Sequence, residues 1–251
     1  MPAKTKTPQK ENLVEAQSRD FFQTPNYAVD LLVPFIEEIM PMSPYKKFVI
    51  WECAAGERKI SKRLEHFGFS VISTDIQDEK SFNFLTNEPD FEFDCIITNT
   101  PFSLKKKFYD KCVEYQKAFA LLIPADYSLW LIDAVNKNNC EKIIPERRID
   151  YITPNTLKRI HEGEIWELEK DNFSNYEGSL KWMKEDSPVS WGKLILKYNK
   201  LHNYKSIYDA PSDLLRKYSS SDFHSMWLTR DFGLGKSETF VELTNKMKDN
   251  I

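Results

Sequence analysis

Short apolar runs that alternate with amphipathic stretches of helical period mark this chain as α/β, doubly wound about a mostly parallel sheet. The runs 48–52, 71–75, 93–98 and 118–123 read as strands, and the last two are apolar enough to be buried. After the first comes Cys53-Ala54-Ala55-Gly56, a tight small-residue turn, and then a helical stretch over 57–67 with Ile60, Leu64 and Phe67 on one face. Asp75 closes the second run about twenty residues beyond Gly56, where a carboxylate meets ribose hydroxyls in nucleoside-binding α/β folds.

The remaining elements follow in chain order. Thr24-Pro25 reads as a helix start, a capping residue and then proline in the first turn, leading into Val29, Leu32, Phe35, Ile36 and Ile39 with a kink at Pro34. Beyond 93–98, Leu104, Phe108, Cys112 and Tyr115 share a helix face, and the helix opens with Lys105, Lys106 and Lys107. The run 118–123 is a buried parallel strand ending at Pro124, and Leu129, Ile132 and Val135 recur with helical spacing. Two further strands are expected over 147–152 and 189–198. Between them lies a polar, glutamate-rich insertion over 153–188 that carries Trp166, Phe173, Tyr176 and Trp182. The domain plan is a mobile tail over 1–17, a main domain over 18–198 and a C-terminal appendage over 199–251.

Composition narrows the function classes. With 251 residues, 41% of them hydrophobic, the chain can bury a full core. A net charge of −3 argues against a basic coat, so contact with nucleic acid has to come from local clusters such as the cations and aromatics of the appendage. Cys53, Cys95, Cys112 and Cys140 are spaced for neither zinc ligation nor a disulfide framework, which points to no metal and a reduced, cytoplasmic protein. No segment has the length of a membrane span, and the first residues lack the apolar core of a signal peptide. Asp231-Phe232-Gly233 and Gly235-Lys236-Ser237 mimic kinase and phosphate-loop motifs without their companion residues.

Asn99-Thr100-Pro101-Phe102 directly follows the run 93–98, so a buried strand delivers an amide, a proline-locked turn and an aromatic face to its own carboxyl end. Alkylation of an exocyclic amino group on a nucleobase needs such a trio, because that nitrogen's lone pair is delocalised into the ring. The Asn99 side-chain oxygen and the Thr100 carbonyl would each accept one N–H, drawing the nitrogen towards tetrahedral geometry and stabilising its developing charge. Phe102 would stack on a base extruded from its duplex. The same four residues also fit an ordinary Asn-x-Pro turn.

Five segments in order, Phe22-Gln23-Thr24-Pro25, Trp51-Glu52-Cys53-Ala54-Ala55-Gly56-Glu57-Arg58, Ser73-Thr74-Asp75-Ile76, Asn83-Phe84-Leu85 and Ile97-Thr98-Asn99-Thr100-Pro101-Phe102, resemble the motifs of the phage-type adenine-specific DNA methyltransferases. The resemblance covers roughly residues 18–152. It implies a Rossmann-like class I methyltransferase fold, S-adenosylmethionine as cofactor, and DNA with a flipped adenine as partner, in the cytoplasm of a bacterial or phage-infected cell. Carried over by position, Phe22, Thr24 and Pro25 line the methionine end of the cofactor, and Glu52, Ala54 and Gly56 belong to the turn around its amino acid moiety. Asp75 binds the ribose, Ile76 packs on the adenine ring, and Asn83 and Phe84 meet the adenine edge. Asn99, Thr100, Pro101 and Phe102 form the catalytic turn. Lys105 and Lys106 are placed to meet phosphates, and Trp166 to cover the flipped base. A relative acting on RNA or on a glutamine side chain, or a catalytically silent nucleic-acid-binding relative, is the alternative.

Three residues depart from the family pattern. Arg58 replaces the second glycine of the turn, where a Cβ crowds the loop or forces its torsions. Asn83 replaces an aspartate, and its amide oxygen still accepts. Thr100 replaces a proline; Pro101 after it already keeps its torsions extended, so the turn is expected to accept proline at position 100 without loss, unless the Thr100 N–H or hydroxyl holds a hydrogen bond that proline would remove.

Overall fold

A computed structural model describes residues 22–41, 47–169, 191–202 and 204–251. The expected tail over 1–17 lies outside the described residues, as do Phe173, Tyr176 and Trp182. The chain divides into two compact units, Met1–Tyr151 with Ser221–Ile251, and Ile152–Ser220.

Among the described residues of the first unit, the helices and strands are α1 (Asn26–Asp30), α2 (Val33–Ile39), β1 (Val49–Glu52), α3 (Lys59–His66), β2 (Ser70–Ser73), β3 (Cys95–Asn99), α4 (Lys105–Tyr115), β4 (Ala118–Pro124), α5 (Leu129–Lys137), β5 (Cys140–Pro145), β6 (Ser225–Arg230) and β7 (Glu238–Val241). The seven strands form one sheet in the order β2-β1-β3-β4-β6-β5-β7, in which β6 alone runs against the others. The plan is α/β and mostly parallel, compatible with a Rossmann-like fold. The chain steps from β1 to β2 on one side and returns to place β3 on the other. Such a reversal opens a crevice at the carboxyl ends of the two central strands.

Burial on both faces explains the strand composition. Ile97 and Leu122 face one layer with Leu32, Ile60 and Leu64. Ile96, Leu121 and Ile123, one residue out of phase, face the other with Phe108, Cys112 and Leu131. Each of these side chains contributes about 1.5–3 kcal/mol by leaving water, so a one-residue slip of any central strand is prohibitive.

The structure corrects several expectations. Thr24 does not cap the first helix: Pro25 occupies that position at ψ 151° and no side chain caps it. Pro34 does not kink one helix but opens a second, α2, where a missing N–H breaks no intrahelical bond. Residues 147–152 contribute no strand to the sheet. Of the strand expected over 189–198, Trp191–Lys197 is helical, and 189–190 lie outside the described residues. Nor is 199–251 an appendage, because β6 and β7 complete the main sheet and β6 lies between β4 and β5. β4 is parallel to β3 as expected and antiparallel to β6.

Among the described residues, the second unit holds α6 (Pro154–Glu169), α7 (Trp191–Lys197) and α8 (Ser212–Tyr218). Pro154 opens α6, and the hydroxyl of Thr153 accepts the Thr156 N–H at 3.3 Å. Ile165 and Leu194 form a small core with Trp166, Ile195 and Tyr198. The Glu169 carboxylate accepts from Lys197 Nζ at 2.8 Å and from the Tyr198 hydroxyl at 2.7 Å. Gly163 has to lack a side chain, because a Cβ there would stand 1.9 Å from the Tyr218 hydroxyl oxygen.

Candidate functional site

A cavity of about 370 Å³ opens where the crevice is expected, walled by the residues that follow β1 and β2 and by the end of β3. Glu52 to Gly56 form one wall, Asp75 to Gln77 and Phe82 to Leu85 a second, and Phe22 to Thr24 with Asn99 and Pro101 a third. Phe22, Thr24, Glu52, Ala54, Gly56, Asp75, Ile76, Asn83, Phe84, Asn99 and Pro101 are thus brought together; Pro25, Thr100 and Phe102 are not among the lining residues.

Local chemistry explains the glycine turn. Gly56 sits at φ +49°, and a Cβ on it would come within 3.0 Å of Gln23 Nε2. Its N–H donates to one Asp75 oxygen at 2.8 Å while the Gln77 N–H donates to the other at 2.8 Å. Asp75 therefore clamps the β1 turn to the loop after β2, with further lone pairs on both oxygens for a ligand. Arg58 sits at φ +60° and closes the turn through a 2.7 Å bond from its N–H to the Ala55 carbonyl.

Glu52 is 1% exposed, and its Oε2 accepts from the Ser61 N–H at 2.9 Å and from the Ser61 hydroxyl. Burial pushes its carboxyl up to about 8 against the pull of the Ser61 bonds, and the Asp75 charge adds to the rise. Lys59, the first residue of α3, also lines the cavity, and burial, assisted by Lys62 and Arg63, brings its amine down to about 8. Sequence reasoning passed over Lys59 and Gln23. The only signal for Lys59 was a cation directly after the glycine turn. Gln23 gave none, because its role is to pack against Gly56 from a distant segment.

Asn99 is the last residue of β3, paired in register with Leu122 of β4. Its Nδ2 donates to the Phe22 carbonyl at 2.7 Å, and its Oδ1 is buried without a hydrogen-bond partner. Thr100 is 2% exposed, and its N–H reaches the Leu122 carbonyl at 3.4 Å. Phe102 begins a short 3-10 turn and joins an aromatic cluster with Phe22, Tyr151 and Phe223.

Other expected residues are already engaged. The Asn83 Oδ1 accepts the Leu85 N–H at 3.0 Å, and Phe84 stacks on Phe108 with ring centroids 4.8 Å apart. Lys105 is paired with Asp126, and Lys106 with Asp110 at 2.7 Å. Trp166 lies on α6 of the second unit, packed against its small core. All four cysteines are free and buried. Among the described residues no helix is long and apolar enough to cross a membrane. No protein-family model matches the chain, and no curated protein matches it.

Proposed function

We propose that the chain transfers a methyl group from S-adenosylmethionine to the 6-amino group of adenine in DNA. The observation that carries this reading is the unpartnered, buried Oδ1 of Asn99, a residue that lines the cavity. A buried acceptor left unpaired costs roughly 1–3 kcal/mol, and an arriving N–H would relieve that cost.

The cavity wall fits the cofactor's parts. Its volume falls within the roughly 300–1,000 Å³ of small-molecule sites. Asp75 faces it with lone pairs suited to ribose hydroxyls, and Ile76, with 52% of its surface exposed, offers an apolar platform for a purine. Glu52 adds an acceptor oxygen suited to an α-ammonium, and Lys59 an amine suited to an α-carboxylate. When bound, S-adenosylmethionine supplies an electrophilic methyl group. Asn99 Oδ1 accepts one amine N–H and the Thr100 carbonyl the other, which frees the nitrogen lone pair and stabilises its growing positive charge. Pro101, at φ −54°, fixes the turn between Asn99 and Phe102.

Asn99→Ala tests this reading. Calorimetric affinity for S-adenosylmethionine is expected to stay nearly intact while turnover on unmethylated DNA falls by at least about a hundredfold, the scale of losing one preorganised hydrogen-bonding group. Parallel loss of cofactor binding would put Asn99 in a different role, and full turnover would remove it from the chemistry.

A further inference from the structure

The ring of Phe22 lies on the ring of Phe102, with centroids 4.9 Å apart and planes 25° from parallel. The carbonyl of the same residue takes the Asn99 Nδ2 hydrogen at 2.7 Å. One residue therefore engages both the amide and the aromatic face that methyl transfer would assign to the target base. A purine on an aromatic side chain adopts this same near-parallel stacking.

The other neighbours of Phe102 cannot play that part. Tyr151 and Phe223 meet it edge-on, with centroids at 5.8 and 5.3 Å and planes at 75° and 89°. Within this cluster, only the face under Phe22 is arranged as a base would need it. Tyr151 is fully buried, whereas Phe22 is only partly buried and lines the cavity. Rotation about the Phe22 χ1 angle moves its ring and leaves its carbonyl in place.

We propose that Phe22 is a positioning residue of the target-base site, whose ring holds the stacking face of Phe102 until a base displaces it and whose carbonyl keeps the Asn99 oxygen turned towards the incoming amine. The identity of the base rests on the methyl-transfer reading; the exchange of one ring for another rests on the distances. A ring that competes for the site lowers the apparent affinity of a base by the fraction of time it occupies the face.

Fluorescence titration of the full chain with 2-aminopurine deoxyriboside measures that competition. Phe22→Ala is expected to bind the probe about tenfold more tightly than the parent, as when one stacked pair no longer competes, and adding Phe102→Ala to it is expected to abolish the gain. Phe22→Leu keeps apolar volume without a flat ring and should show the same direction if the alanine variant folds poorly. Unchanged or weaker binding by folded variants would overturn the proposal, since the ring would then be core packing or a permanent wall. Tighter probe binding in a protein that neither binds S-adenosylhomocysteine nor methylates DNA would uphold the base site and sink the methyl-transfer reading. Methylation by the parent without any gain in the variants would sink the Phe22 inference alone.

Discussion

Glu52 favours its proton in the folded chain, and the pH dependence of stability follows from that. Its carboxyl stands at 4.5 when unperturbed and is raised to about 8 in the fold, so between those values the native state binds a proton that the unfolded state has lost. Its contribution is fully present below about pH 4.5 and is lost as pH rises towards about 8, a change of a few kcal/mol. Urea denaturation from pH 5 to 8 is expected to show stability falling across this window in the parent and a flatter profile in Glu52→Gln, which keeps an acceptor for Ser61. Lys59, lowered from 10.5 to about 8, acts above this window, so the two slopes separate. Arg58 gives a second test at this scale. Its left-handed torsions cost any residue with a Cβ about 1 kcal/mol, and its exposed pair with Asp78 returns little. Arg58→Gly is expected to be more stable than Arg58→Ala by about that amount in chemical denaturation; equal stabilities would mean the turn carries no such strain. This strain was legible in the sequence, because the position was recognisable as one that glycine fills. The burial that shifts Glu52 and Lys59 was not, since it is made by Ser61, Ser73 and neighbouring segments that only the fold brings together.

At the scale of elements, the central strands were legible because Ile96, Ile97, Leu121 and Leu122 sit in unbroken apolar runs. The helix α7 was not. Its Leu194-Ile195-Leu196 is too short a run to reveal a period, and what settles it is the four-residue spacing of Leu194 and Tyr198, which are packed with Ile165 and Trp166 of α6. β6 was hidden for a different reason. Its Met226-Trp227-Leu228 core lies among cations and aromatics that read as a recognition surface, yet Trp227 is fully buried and its Nε1–H donates to the Ala28 carbonyl at 3.1 Å. The end of the β3–β4 ladder selects between two expectations for one substitution. Thr100 was expected to tolerate proline, but its N–H continues the ladder to Leu122, at the long distance of 3.4 Å. Thr100→Pro is now expected to lower stability by about 1 kcal/mol and to reduce methyl transfer with it, because proline removes that donor and strands the Leu122 carbonyl. A Thr100→Pro protein with unchanged thermal midpoint and full turnover would show that the bond contributes nothing.

Across the whole molecule, the first unit closes on itself through distant segments. The Tyr27 N–H donates to the Asn250 carbonyl at 2.9 Å, and Asn26 Nδ2 donates to the Ile251 carbonyl at 3.1 Å. The segment carrying Phe22, Gln23 and Thr24 is thereby held beside the cavity by residues more than two hundred positions away, a relation that no local pattern could disclose. The site has the same character: its turn, its acid and its amide each end a different strand, and the reversal between β1 and β3 makes them converge. Expressing the chain in a cell that lacks adenine methylation and sequencing its DNA for modified bases tests the proposed methyl transfer to adenine. The expected result is N6-methyladenine confined to a defined sequence context and lost with Asn99→Ala. Unmodified DNA from cells that hold the folded, abundant protein would contradict it.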